Sequence, residues 1–167
     1  ERVVNDLNKV IRDIRGYIFH LRPAAFSGNS LDEALFDLAR EVQINTLIDV
    51  ELNIESVDAA LIPDEIAENL FHIAQEALAN VAKHSRATHA RVSLACDDGA
   101  LTLTVEDNGR GFETSTRLGI GHRGLGNMAD RARAVGATFR VDTGTGRGTI
   151  IRVREERSTP CLSKSAS

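Results

Sequence analysis

Asn69-Leu70-Phe71-His72-Ile73-Ala74-Gln75-Glu76-Ala77-Leu78-Ala79-Asn80-Val81-Ala82-Lys83-His84 carries two helical stripes at once. With Ile66 just upstream, the apolar stripe runs through Leu70, Ile73, Ala77 and Val81, helped by Ala74 and Leu78, at the spacing of an amphipathic helix. Asn69, His72, Glu76, Asn80 and Lys83 stand 3, 4, 4 and 3 residues apart and line up on another face. Pro63 suits the first turn, and Asp64 and Glu65 suit the helix dipole, so the spacing predicts a helix from 63 to about 84. Two mid-helix asparagines are poor helix formers, because their side chains compete for backbone hydrogen bonds. A Glu one turn before an Asn can set oxygen ligands beside a hard cation such as Mg²⁺, which takes few protein ligands together with phosphates and waters. Taken by itself the stripe also reads as a solvated face, and at this point that plainer reading leads.

Downstream, two strands are expected at 88–96 and 100–106, joined by the hairpin signal Asp97-Asp98-Gly99. An aperiodic glycine-rich loop (107–123) leads into a helix over 124–135. Two more strands, 137–143 and 149–154, flank another glycine-rich turn. Upstream, residues 48–54 alternate with period two, and Leu31, Ala34, Leu35, Leu38 and Val42 mark a helix over 31–43. Residues 1–21 place Val3, Leu7, Val10, Ile14, Tyr17 and Leu21 at a/d spacing, and Val4, Ile11 and Ile18 widen the face beyond a two-stranded seam. That pattern suits a helix of a multi-helix bundle, or an amphipathic helix packed on its own domain; Arg22-Pro23 ends it. The order of elements predicts an α/β fold, a two-layer sandwich of helices on a mixed, mainly antiparallel sheet, preceded by one bundle helix. The expected division is a bundle helix at 1–22, one domain at 23–155 and a polar, disordered tail at 156–167.

Composition narrows the function classes. With 42% apolar and 26% charged residues, the 167-residue chain reads as an ordinary globular protein with one core. A net charge of −4 lacks the basic face that nucleic acid requires, so no nucleic-acid partner is expected. No apolar run approaches the roughly 20 residues that span a bilayer, and the chain opens on Glu1 and Arg2 without a leader-like apolar segment. Cys96 and Cys161 are expected to form no cross-linking framework and no metal site. A cytoplasmic location without direct membrane contact is the expectation.

Three further signals sit in order along the chain. Asp107-Asn108-Gly109-Arg110-Gly111 directly follows an expected strand. A carboxylate there can accept from an exocyclic amine, although Asn-Gly and Gly-x-Gly are also common turns. Gly119, Gly121, Gly124 and Gly126 precede or open a helix, where free N–H groups and the dipole make a phosphate cradle. Gly144-Thr145-Gly146-Arg147-Gly148-Thr149 joins two strands and alone reads as a hairpin tip.

In this order the motifs resemble the ATPase superfamily shared by DNA gyrase, Hsp90, histidine kinases and mismatch-repair proteins, with its Bergerat-type fold. Gln75–His84 resembles the asparagine box, Asp107–Gly111 the first glycine box, Arg123–Arg131 the second, and Gly146–Thr149 the last. Gln75-Glu76-Ala77-Leu78 with Asn80, Lys83 and His84, and Arg123-Gly124-Leu125-Gly126-Asn127-Met128, are similar to sensor histidine kinases that partner NarL-type response regulators. Leu21-Arg22-Pro23 resembles the end of the second helix of their dimerisation module. The resemblance implies ATP and Mg²⁺ as ligands and γ-phosphate donation to a histidine. Asp107 would accept from the adenine amine, and Gly109 and Gly111 would let the base approach. Asn80 would hold Mg²⁺ with Glu76 beside it as the catalytic pair, and Lys83 and His84 would reach phosphate. Gly124 and Gly126 would form the lid hinge and the phosphate-facing turn, with Gly121 and Leu125 also at the nucleotide, and Thr149 would rise from the sheet floor. The implied partners are the phosphoacceptor helix of the same kinase homodimer and a NarL-type response regulator. His20 sits at the wrong end of its helix for the acceptor, so isolated autophosphorylation is not expected. Phe112 alone does not make the phenylalanine box of related kinases. An anti-sigma serine kinase or a nucleotide-binding regulatory adaptor on the same fold remains the alternative.

Overall fold

Alternation along a strand sets which side chains share a face, and register carries each row across the sheet. The computed structural model describes residues 30–55, 57–97, 99–112 and 123–156, with Phe26 and the helical positions Val3, Val4, Leu7, Val10, Ile11 and Ile14. Among the described residues five strands lie in the order β1 (Asp49–Glu55), β2 (His89–Asp97), β3 (Ala100–Asp107), β5 (Thr149–Glu156) and β4 (Thr138–Thr143). β1 runs parallel to β2, and every other pair is antiparallel. The mixed, mainly antiparallel sheet is therefore as expected.

One row across the sheet reads Leu52, Val92, Val105, Ile151 and Val141, and the next reads Ile54, Leu94, Leu103, Val153 and Phe139. Both rows face three helices, α1 (Leu31–Asn45), α2 (Asp64–Asn80) and α3 (Arg123–Ala134). Leu31, Leu35, Leu38 and Val42 of α1, Leu70, Ile73, Ala74, Ala77 and Leu78 of α2, and Met128 and Ala132 of α3 complete the core. Phe71, absent from the expected apolar stripe, is also buried, with its ring 5.8 Å from that of Phe26. The parallel β1–β2 pair requires a crossover connection, and α2 supplies it. That connection delivers the C-terminal end of α2 beside the ends of β3 and β5.

The structure departs from the expected helix over 63–84. The α-helix stops at Asn80, and Val81–Ser85 form a π-helical turn before Arg86 takes a left-handed φ of 57°. The Ser85 hydroxyl donates to the Val81 carbonyl at 2.8 Å and accepts from the Ala87 N–H at 2.9 Å. A side chain thus takes over backbone groups that a regular helix end would leave open. The cysteine expectation also fails in part, since Cys96 on β2 is disulfide-bonded. Among the described residues no helix is long and apolar enough to cross a membrane.

Candidate functional site

Where α2 ends, a cavity of about 240 Å³ opens between that end, the first turn of α3 and the sheet. Ala77, Asn80 and Val81 form one wall, and Gly124 and Leu125 form the other. Val105, Asp107, Thr149 and Ile151 make the floor, while His84, Ser85, Arg110, Gly111 and Phe112 line the rim. Asp107 and Thr149 are direct cross-strand partners at the edge of the apolar rows.

Asp107 is 7% exposed, and its Oδ1 accepts from the Gly109 N–H at 2.7 Å. Burial pushes its carboxyl above the usual 3.8. The Gly109 N–H and the Thr149 hydroxyl pull it back, and the nearby Glu106 charge adds to the rise. A carboxylate offers about four acceptor positions, so these two bonds leave capacity for a donor inside the cavity. An amine on a flat, apolar ligand meets that need.

The neighbouring glycines bring backbones together. A β-carbon at Gly109 would strike Ser85, one at Gly111 (φ +60°) would strike the carbonyls of Gly144 and Gly148, and one at Gly148 would strike the Asp107 carbonyl. The Arg110 N–H donates to the Ser85 carbonyl at 2.8 Å, and the Gly146 N–H donates to the Arg110 carbonyl at 2.6 Å. The Thr143 hydroxyl donates to Gly148 at 3.0 Å and accepts from the Phe112 N–H at 3.1 Å. The space left by Gly109 and Gly111 is thus taken by the protein's own chain, with Gly111 still on the cavity rim. Asn108 is a pin, because its Oδ1 accepts from the N–H groups of Thr88 and His89, each at 3.0 Å.

The polar stripe of α2 divides. Asn69 donates to the Glu65 carbonyl of its own helix, and His72 contacts Glu68 and Gln75 on the same helix. Glu76 and Asn80 instead meet α3: a β-carbon at Gly124 would strike Glu76 Oε1 and lie 3.3 Å from Asn80 Nδ2. Asn80 reaches the cavity wall, whereas Glu76 stands behind it. Leu125 lines the wall. Gly126 lies on no wall, with nothing within 4 Å of its β-position. His84 is exposed at the rim, while Lys83 is half-buried and off the cavity. Gly121 lies outside the described residues. The expectations passed over Ser85, Arg110 and Ile151, and set aside Phe112. The π turn that places Ser85 has no periodic signature, but Phe112 directly follows the first glycine box. Among the described residues no cluster of three His, Cys, Asp or Glu side chains could hold a metal ion.

Residues 65–157 match the model of the histidine kinase-, DNA gyrase B- and HSP90-like ATPase family. The chain belongs to this ATPase family. All residues lining the ATPase's cavity fall inside the matched range. The chain is 34% identical over 152 residues to the sensor protein VraS of Staphylococcus aureus, covering 89% of this chain and 43% of that protein. VraS of Staphylococcus epidermidis is also 34% identical, with 42% of its length covered. The chain therefore spans less than half the length of these relatives. The ATPase's fold is that of the histidine kinase domain of a blue-light activated kinase from Erythrobacter litoralis. There the TM-score is 0.64 at 22% identity, covering 92% of this chain and 75% of that one. The Acinetobacter baumannii histidine kinase AdeS gives a TM-score of 0.61 at 16% identity, covering 93% and 81%.

Proposed function

We propose that this ATPase is the catalytic domain of a two-component sensor histidine kinase, binding ATP with Mg²⁺ and passing the γ-phosphate to a histidine. The observation that carries the adenine site is Asp107, a buried carboxylate held by Gly109 and Thr149 with acceptor capacity facing an apolar cavity. Adenine's amine would donate to Asp107, and the phosphates would extend toward Asn80 and the first turn of α3, where free N–H groups and the helix dipole favour anions. Asn80 would hold Mg²⁺ with Glu76 beside it. The ion supplies charge neutralisation at the phosphates, and a single protein amide suits an ion whose other ligands are phosphates and waters. In the transfer, an imidazole nitrogen bonds to the γ-phosphorus while the bond to the bridging oxygen breaks. The electron pair leaves with ADP, and the imidazole proton goes to solvent. The domain's share of catalysis is positioning and electrostatics.

The acceptor histidine would come from a helix of the same kinase dimer. Residues 1–22 are proposed as the second helix of that dimerisation module, 23–155 as the catalytic domain and 156–167 as a polar tail. Supporting this division, Val3, Val4, Leu7, Val10, Ile11 and Ile14 are helical and exposed. Residues 15–25, including Leu21-Arg22-Pro23, lie outside the described residues. A NarL-type response regulator is the proposed recipient, on the asparagine-box and second glycine-box forms, and the domain is placed in the cytosol, where ATP is.

Calorimetric titration with ATP, ADP and GTP, with and without Mg²⁺, tests the site. Saturable binding that prefers adenine is expected, with Asn80→Ala losing more affinity for ATP in Mg²⁺ than without it. Equal binding of GTP, or none in a folded sample, overturns the adenine assignment. An equal loss with and without metal removes Asn80 from the ion.

A further inference from the structure

A second concavity, of about 430 Å³, lies at the far edge of the sheet, two strands away from β3. Its lining is Asp32, Glu33, Phe36 and Asp37 of α1 with Leu52 and Ile54 of β1. Phe36 is 57% exposed, and Leu52 and Ile54 are only half-buried although they continue the two apolar rows of the core. Among the described residues β1 pairs with β2 on one side only, so its other side offers free backbone donors and acceptors. Among the described residues Asp32, Glu33 and Asp37 make no ion pair, and Asp32 Oδ1 is buried without a hydrogen-bond partner.

We propose that this edge is a docking site for an extended, basic segment of a partner protein that adds a strand to β1. The unpaired backbone selects a strand over a helix, because only a strand can bond to it along its length. The apolar floor of Phe36, Leu52 and Ile54 takes a large apolar side chain from alternate positions. Lys or Arg from its neighbours stand over the other face of β1, where Glu55 is exposed and Glu51 is shared with Arg91, and the long stems of those at the rim of the groove reach the carboxylates of α1. Acidic side chains also guard sheet edges against unwanted pairing. Guarding alone leaves no reason for a phenylalanine to stand exposed among them. The surface is separate from the nucleotide cavity, so its failure would leave the nucleotide reading untouched.

The probe is an acetylated, amidated heptapeptide, Lys-Ile-Lys-Val-Lys-Phe-Lys, titrated into the isotope-labelled 167-residue chain. Amide shifts centred on Val50–Ile54 are expected, and binding should weaken at high salt. The exposed double change Glu33→Lys and Asp37→Lys should weaken binding about tenfold, since each exposed ion pair contributes modestly. It should also turn the preference toward the same peptide with Glu in place of Lys. Phe36→Ser should weaken both peptides, with ATP affinity unchanged. Shifts elsewhere, insensitivity to the charge reversal, or no binding overturn the proposal. Self-association of the chain that Phe36→Ser abolishes would overturn it in favour of a second copy as occupant.

Discussion

Burying a carboxylate costs free energy, and at Asp107 a ligand amine would offset part of that cost. Its folded-state pKa is raised, chiefly by desolvation. The folded state therefore holds its proton more tightly than the unfolded chain does. The stabilising contribution of that proton is fully present below about 3.8 and is lost as pH rises through the folded value. Binding of an adenine amine has the opposite sign, because it needs the ionised form. Adenosine affinity should fall as pH is lowered through the Asp107 transition, and titrations across that range check it. Asp107→Asn should flatten the profile and weaken binding about ten- to hundredfold, the range for a bond to a charged group. The glycines make a second residue-scale prediction. Gly111 has a left-handed φ and no room for a β-carbon, so Gly111→Ala should cost about 2 kcal/mol or more. Gly126→Ala sits in helix α3 with open space around it and should stabilise by about 0.5–1 kcal/mol. Denaturant midpoints of the two variants should move in opposite directions, which a general glycine-for-flexibility role would not produce.

Helix α3 approaches α2 through Gly124, and here one element's polar stripe becomes the other's socket. Gly124→Ala displaces Glu76 and Asn80 from the first turn of α3, so it should weaken ATP binding several-fold more than adenosine binding. Calorimetry with both ligands separates the two; equal losses would mean that the wall merely widened. This contact also marks how far the elements could be read from the chain. The strands were legible because side-chain alternation is imposed locally, and each expected strand falls within two residues of its place. The continuation of α2 as a π turn was not, because it depends on the Ser85 hydroxyl bonding to Val81 and Ala87, which has no period to detect. Phe71 was missed for a related reason, since its partner ring Phe26 comes from a segment without periodicity. Asp107 and Asn80 carried a local signal, at a strand end and on a helix face, whereas Thr149 came only with the family resemblance; all three line the cavity. Which glycines touch backbone depended on three loops meeting, which no single segment records.

At the scale of the molecule, the N-terminal segment and the sheet domain differ in what covers their apolar surface. Val3, Val4, Leu7 and Ile14 are each at least half exposed on a helical stretch, whereas the helix-facing rows of the sheet domain are buried on β2, β3 and β5. The intact chain should therefore self-associate in sedimentation runs as concentration rises. A chain lacking residues 1–22 should stay monomeric and keep its ATP affinity; self-association that survives the deletion would place the contact elsewhere. The cavity floor has a different kind of reach. Its Asp107 and Thr149 stand on β3 and β5, and beside them Ser85, Asp107–Gly111 and Gly144–Gly148, far apart in sequence, are joined by main-chain hydrogen bonds. No part of that floor exists unless the whole sheet has closed. A nucleotide bound there holds the ends of three strands together, so occupancy is itself a source of stability. At a hundred times its dissociation constant it adds about 2.7 kcal/mol. In a cell the nucleotide-free form would then be the one most open to proteases.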